Sequence, residues 1–352
     1  MSEQNQIVDL AYKTYGDPHL PPIILLMGLG TPAAAWPRQF IADLVQGGLY
    51  VIVPDNRDSG ASPAAEGDVS RRQVVCAIAR YLIGCRVKAP YRLEDMAADV
   101  LALMDRLGLE KAAVAGISMG GMIAQCMAIE APQRVSSLVC MSTACGNPRT
   151  GLGKLKAVAA VLPASKPPAD AAEAREALRK LFDVIGTKGN TYPDDYLDAV
   201  LRAAAQQKDP EKATARQLMA ILASGNRVKA LRQLFVPALV VHGLADPLLP
   251  KAAGMEIAKN IRGARFLGIE GMGHDLPPAH IDEIARAVAA HCYGAGPDFS
   301  AKEKAHAGYG GAFVTVIRVR PDALLSFFLG FAGFLTPQFG KLSDGAALFQ
   351  AA

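Results

Sequence analysis

Ala112-Ala113-Val114-Ala115-Gly116-Ile117-Ser118-Met119-Gly120-Gly121 is the stretch whose reading decides the fold. Ala112–Ile117 is an apolar run of strand length, and Met119–Ile129 continues as a helical pattern that stops at Ala131-Pro132. The segment therefore predicts a strand, a sharp turn at Ser118 and a helix, with G-x-S-x-G at the junction. Glycines at 116 and 120 remove Cβ groups that would crowd so tight a turn. The turn would lift the serine hydroxyl above the edge of a sheet. It would also aim the Met119 N–H and the positive end of the helix at charge developing on a bound group. Ser118 is thus a candidate nucleophile, and a serine hydroxyl at neutral pH needs a base.

The base is sought among six histidines. His274, in Gly271-Met272-Gly273-His274-Asp275, follows the last expected core strand, where a glycine-rich loop can carry it over the serine. His19 precedes the core, His242 ends a strand, and His280 and His291 fall on the last helix. An acid is then needed to hold the tautomer of the base and stabilise the imidazolium. Asp246, in Val241-His242-Gly243-Leu244-Ala245-Asp246-Pro247, follows the preceding strand and gives the chain order Ser, Asp, His. Asp275 is the rival, but a side chain adjacent to the histidine seldom faces its ring. Met27-Gly28-Leu29-Gly30 follows an earlier strand, and the amide of Leu29 is expected to join that of Met119 in an oxyanion hole.

The same glycines admit another reading. Gly28-Leu29-Gly30-Thr31-Pro32-Ala33 fits G-x-G-x-x-A after a strand, with Asp55 at the end of the next one, as in a dinucleotide-binding unit. That reading leaves Ser118, Asp246 and His274 without a purpose, and no organic cofactor or metal is expected.

Outward from the elbow, apolar runs alternate with helical patterns, which predicts an α/β fold with a mostly parallel central sheet flanked by helices. Expected strands are Ile23–Met27, Tyr50–Val53, Ala112–Ile117, Ser137–Met141, Ala238–Val241 and Ala264–Ile269. Expected helices lie near Gln39–Gln46, Leu93–Leu107, Met119–Ile129 and Ile281–His291. Residues 147–234 break the rhythm, being helical, rich in Ala, Lys and Arg, and punctuated at the start by Pro and Gly. They read as a helical cap inserted into a core made of 1–146 and 235–294. Residues 295–352 form a C-terminal extension with an expected strand at Ala312–Arg320 and a phenylalanine-rich run at Ala323–Leu335. That run is shorter than the roughly 20 residues of a bilayer-crossing helix, so no transmembrane segment is expected.

Hydrophobic residues make up 51% of the 352, enough for a sizeable core, and the net charge of +4 is small for the length. Scattered basic residues do not form the concentrated face that a phosphate backbone requires, so nucleic acid is not an expected partner. The polar start, Met1-Ser2-Glu3-Gln4-Asn5-Gln6, has no secretory h-region. The six cysteines lack metal-ligand spacing. Cys126 and Cys140 lie in apolar segments, and with Cys76 and Cys85 they read as buried thiols of a cytoplasmic protein, although a disulfide between the last two stays open. The pattern is compatible with a monomer or a homo-oligomer.

With these residues in place, the chain resembles the lidded α/β-hydrolases over roughly Ile7 to Tyr293. Within them it is similar to bacterial carboxylesterases and the polyketide methylesterases of anthracycline biosynthesis. The matching pieces are Leu26-Met27-Gly28-Leu29-Gly30, Ala35-Trp36-Pro37, Asp55-Asn56-Arg57-Asp58-Ser59-Gly60, Gly116–Gly121 and Gly271–His274. The resemblance implies a Ser118–Asp246–His274 triad, an oxyanion hole at Leu29 and Met119, and a small-molecule ester as substrate. It leaves open carbon–carbon bond hydrolysis on the same fold, and a non-catalytic ligand-binding module remains the rival from another class. Two positions depart from the family pattern: Met27 stands where histidine is common, and Ala61 where glycine is. Asp55 and Arg57 are read as structural supports of the active-site floor.

Overall fold

The computed structural model describes residues 7–162, 168–207 and 209–294. The chain runs β1 (Tyr12–Tyr15), β2 (Pro22–Leu26), α1 (Arg38–Gln46), β3 (Tyr50–Pro54), α2 (Arg71–Leu82), α3 (Leu93–Arg106), β4 (Ala112–Ile117), α4 (Met119–Glu130) and β5 (Val135–Met141). Six helices follow: α5 (Pro148–Gly151), α6 (Leu155–Ala160), α7 (Ala171–Ile185), α8 (Asp194–Ala204), α9 (Pro210–Ser224) and α10 (Val228–Leu231). Then come β6 (Ala238–Gly243), α11 (Lys251–Asn260), β7 (Arg265–Ile269) and α12 (Ile281–Cys292).

The strands form one sheet in the order β1-β3-β2-β4-β5-β6-β7, with β1 antiparallel to β3 and every other pair parallel. Alternating residues of each strand face opposite layers. Ile24, Leu26, Ile52 and Val114 pack with Val100 of α3, Ile123 of α4 and Ile257 of α11. Ile23, Leu25, Val51 and Ala115 pack with Phe40 and Leu44 of α1 and Val288 of α12. Because both faces are covered, β4 is buried at every residue. Such strands read as continuous apolar runs, which is why the parallel strands were legible.

Three elements fall outside the expected set. β1 is exposed along its whole length, so no apolar alternation marks it. α2 opens with a capping box, Ser70 accepting from the Gln73 N–H and Gln73 from that of Ser70. Its Val74, Ala77, Ile78 and Leu82 pack against Ala215, Met219 and Leu222 of α9. Cys76 therefore points outward, and Cys76 and Cys85 are exposed free thiols, which corrects the expectation that they are buried or bridged. Cys126 and Cys140 are buried as expected, and burial pushes both thiols up to about 12. α11, beginning after Pro250, is the third. The expected strand at Ala312–Arg320 and the run Ala323–Leu335 lie outside the described residues. Among the described residues no helix is long and apolar enough to cross a membrane.

Residues 147–234 lie between β5 and β6, and their helices pack back on the sheet's helices. α9 contacts both α2 and α3, and α10 contacts α11.

His291 makes the fold acid-sensitive. It is buried on α12, and burial, reinforced by Arg265, pushes its imidazole down from 6.5 to about 4. The neutral form is therefore favoured in the folded state, whereas the unfolded chain takes up this proton at higher pH. The resulting stability is complete above the unfolded value and is lost as pH falls through the folded one. Denaturant unfolding should show wild type losing on the order of 3 kcal/mol more than His291→Gln between about pH 7 and pH 4. Parallel pH profiles for the two proteins would refute this.

Candidate active site

The parallel strands end along one edge, and the connections leaving that edge carry the site, as expected of an open α/β sheet. Ser118 sits between β4 and α4 with φ 54° and ψ −120°. A positive φ is uncommon for a residue with a side chain and costs on the order of 1–3 kcal/mol, so the surroundings must enforce it. They do so through backbone contact. A Cβ on Gly116 would lie 2.1 Å from the Gly120 carbonyl carbon, and one on Gly120 would lie 2.0 Å from the Leu26 oxygen. Ser118 N donates to Met141 O at 3.0 Å, and the Thr143 hydroxyl donates to Ser118 O at 2.6 Å. The Ser118 side chain is left half-buried.

His274 and Asp246 come together although 28 residues separate them, with Nδ1 of the ring 2.7 Å from Oδ2 of the carboxylate. The other oxygen, Oδ1, accepts from the amides of Leu248 and Leu249 at 2.8 and 2.9 Å, which fixes the carboxylate plane. Both side chains are buried. The backbones interlock as well: Leu244 N donates to Ile269 O and Ala245 N to Met272 O. A Cβ on Gly243 would lie 2.4 Å from Met272 O, so the two loops can touch only because residue 243 is glycine. His242 lies beneath them, its Nε2 2.9 Å from Leu249 O and 3.9 Å from Asp246 Oδ2. Burial pushes its imidazole below 6.5, against the opposing pull of the Leu249 carbonyl and Asp246. It is accordingly a neutral ring bonded to the loop backbone. Asp275, the rival acid, accepts instead from Thr187, Asn190 and Tyr192.

The Gly28–Gly30 turn lies against the serine, since a Cβ on Gly28 would be 3.4 Å from Ser118 Cβ and 3.9 Å from its Oγ. The Gly30 amide is committed to Gln217 Oε1 at 2.7 Å, and the Thr31 amide to Gly28 O at 3.3 Å. Met119 is the first residue of α4, so its N–H has no helical acceptor. The Asn56 side-chain amide donates to the Met27 carbonyl at 2.9 Å.

The Asp55–Gly60 segment braces this turn from below. Asp55 accepts from the amides of Ala33 and Ala61 at 2.6 and 2.9 Å. Position 61 thus contributes its N–H and tolerates alanine, whereas Gly60, at φ 51°, leaves no room for a Cβ against the Asp55 carboxylate. Arg57 pairs twice with Asp99, at 2.6 Å on each oxygen, and both are buried. Asp58 pairs with Arg216 at 2.9 and 2.7 Å and accepts from the Tyr91 hydroxyl. Gln217 donates to Arg57 O at 2.8 Å, so α9 grips both this segment and the Gly30 turn. Among the described residues no three His, Cys, Asp or Glu side chains gather as metal ligands would.

Sequence reasoning missed Asn56, Gln217 and Thr187. Each acts on backbone or side chains remote in the chain, and an isolated amide or hydroxyl leaves no local pattern. The one available signal was the Asp55–Gly60 motif, which contains Asn56.

Comparison with known proteins agrees with this architecture. The model of the alpha/beta hydrolase fold family matches residues 21–278. Rhodomycin D methylesterase of Streptomyces peucetius is 27% identical over 307 residues, spanning 82% of this chain and 96% of that protein. The 3-oxoadipate enol-lactonase 2 of Acinetobacter baylyi is 26% identical over 256 residues, spanning 73% and 83%. Among solved structures, a meta-cleavage product hydrolase from Pseudomonas fluorescens superposes with a TM-score of 0.64 at 21% identity, covering 82% of this chain and 95% of the other. The matched region takes in the elbow, the Asp246 loop and the His274 loop, and the chain belongs to the alpha/beta hydrolase fold family.

Proposed function

We propose that the protein is a serine esterase that cleaves a carboxylic ester of a small to medium, partly hydrophobic substrate through an acyl-enzyme. The observation that carries this reading is the His274–Asp246 pair, a buried 2.7 Å contact whose carboxylate is fixed by two further amides. A binding module would have no need of so closely held a pair, nor of a serine held at positive φ at the end of β4. The likeness to methylesterases supports an ester as substrate.

Ser118 Oγ attacks the ester carbonyl carbon as its proton passes to His274 Nε2. Asp246 accepts from Nδ1–H and stabilises the imidazolium. The amides of Leu29 and Met119 receive the oxyanion, and the imidazolium then protonates the departing alcohol oxygen. Water adds to the acyl-enzyme by the same route in reverse, giving the acid and restoring Ser118. Helices α5–α10 act as the cap over this chemistry. The six free cysteines fit a cytoplasmic setting, where they would stay reduced.

Turnover of p-nitrophenyl acetate and butyrate, with intact-mass detection of a fluorophosphonate adduct, tests the reading. Wild type should turn over and gain the adduct, and Ser118→Ala should do neither. A wild type that is inert in both would overturn it. Preference for a vinylogous diketone over the ester panel would move the assignment to carbon–carbon hydrolysis, which structural kinship with meta-cleavage product hydrolases makes the second reading. Asp246→Asn should lower kcat by about ten-thousandfold, the cost of losing the correct imidazole tautomer. Gln217→Leu should lower kcat by about tenfold, less than the hundredfold or more that loss of a donor itself costs, because it loosens the Gly30 turn and its tie to Arg57 without removing a donor.

A further inference from the structure

The loop carrying His274 is held on its far side by the α7–α8 connection. Three consecutive residues take part. Gly273 N donates to the Thr187 hydroxyl at 2.9 Å, and His274 N donates to Ile185 O at 2.7 Å. The Asp275 carboxylate accepts from the Thr187 hydroxyl at 2.6 Å, from the Thr187 amide at 3.1 Å to each oxygen, from Asn190 Nδ2 at 3.3 Å and from the Tyr192 hydroxyl at 2.9 Å. The Thr187 hydroxyl is therefore a bridge, accepting from one neighbour of His274 and donating to the other.

Contact is close enough to specify residue types. A Cβ on Gly273 would lie 2.3 Å from the Gly186 carbonyl carbon, and one on Gly186 would lie 3.1 Å from Asp275 Oδ2. Tyr192 is itself confined, its ring 4.3 Å from that of Phe182 and 5.3 Å from that of Tyr196, whose hydroxyl donates to Ala35 O at 2.8 Å. The latch thus runs from the loop before α1, through two tyrosines, to the carboxylate of the residue that follows the proposed base.

Asp275 is 4% exposed and held entirely by uncharged donors. Burying an ionised carboxylate is costly unless several hydrogen bonds compensate, and those bonds are demanding in geometry. The carboxylate thereby fixes residues 187, 190 and 192 relative to residue 275, and its neighbour 274 moves with it.

We propose that Thr187 and Asp275 are positioning residues for His274, so that the α7–α8 connection belongs to the catalytic frame and does not act as a swinging lid. The proposal rests on His274 being the base of Ser118. A base displaced by a fraction of an ångström loses rate while substrate still binds, and misplacement near 1 Å costs about a hundredfold.

The test compares Thr187→Val, Thr187→Ser and Asp275→Asn with wild type on p-nitrophenyl butyrate and in the rate of fluorophosphonate labelling. Thr187→Val and Asp275→Asn should lower kcat by about ten- to hundredfold with KM within about twofold, and should slow labelling by a similar factor. Thr187→Ser, which keeps the bridging hydroxyl, should restore most of both rates. Thermal melting of each variant separates the effect from misfolding. A rise in KM with kcat and labelling unchanged would overturn the proposal, leaving the latch a part of substrate binding. Thr187→Ser as impaired as Thr187→Val would overturn it as well. A wild type that does not label would remove the assignment of Ser118 and His274, and this proposal with it; the variant comparisons fail separately.

Discussion

The close crossing of α4 over the sheet is the constraint on which the rest of the structure depends. At Gly116 and Gly120 backbone meets backbone at distances no side chain could enter, and Leu26 of the neighbouring strand forms one wall of the contact. Only this proximity lets the chain reverse at Ser118 in the left-handed region and present the hydroxyl at the sheet edge. The positive φ is a local cost borne by cooperative contacts: the amide bond to Met141, the Thr143 hydroxyl and the packed glycines. Parallel strands bring the other loops to the same edge without further device, because every β-to-α connection leaves a parallel sheet on one side.

From that edge the insert between β5 and β6 reaches both halves of the proposed machinery. Gln217 holds the Gly30 amide, Arg216 holds Asp58, and the connection after α7 holds the three residues around His274. An insert resting on apolar contact alone could slide, since such contact is non-directional. Directional hydrogen bonds to the Gly30 turn, to Asp58 and to the His274 loop set a single register. The Gln217 bond also occupies the Gly30 amide, so that N–H is already committed within the turn.

What could be read from the chain divides along physical lines. Strands buried on both faces, the glycine-bounded elbow and the order Ser118, Asp246, His274 all leave local marks, either as apolar runs or as residue types that only tight geometry requires. β1 left none, because an exposed antiparallel edge strand pairs through backbone whatever its side chains. α2 carries local marks, Ser70-x-x-Gln73 at its start and Val74, Ala77, Ile78 and Leu82 at helical spacing, but the helix that buries this face, α9, lies far along the sequence. The hydrogen-bonding partners from the insert were illegible for a deeper reason. Gln217 and Thr187 are ordinary helix and loop residues, and their significance arises from neighbours 187 and 86 positions away.

Two carboxylates flank the proposed base, and hydrogen-bond capacity explains why they do different work. Asp275 already accepts from three side chains and an amide, so its lone pairs are occupied and its position is fixed by them. Asp246 spends one oxygen on the Leu248 and Leu249 amides and keeps the other for the imidazole. A third group could have competed for that oxygen. His242 lies only 3.9 Å from it, yet burial keeps its ring neutral and Leu249 O engages its Nε2. Were His242 protonated, Asp246 would face two cations in turn and its hold on His274 would weaken. The arrangement works because each acceptor has one committed donor set: Leu249 O for His242, Asp246 Oδ2 for His274, and Asp275 for the insert.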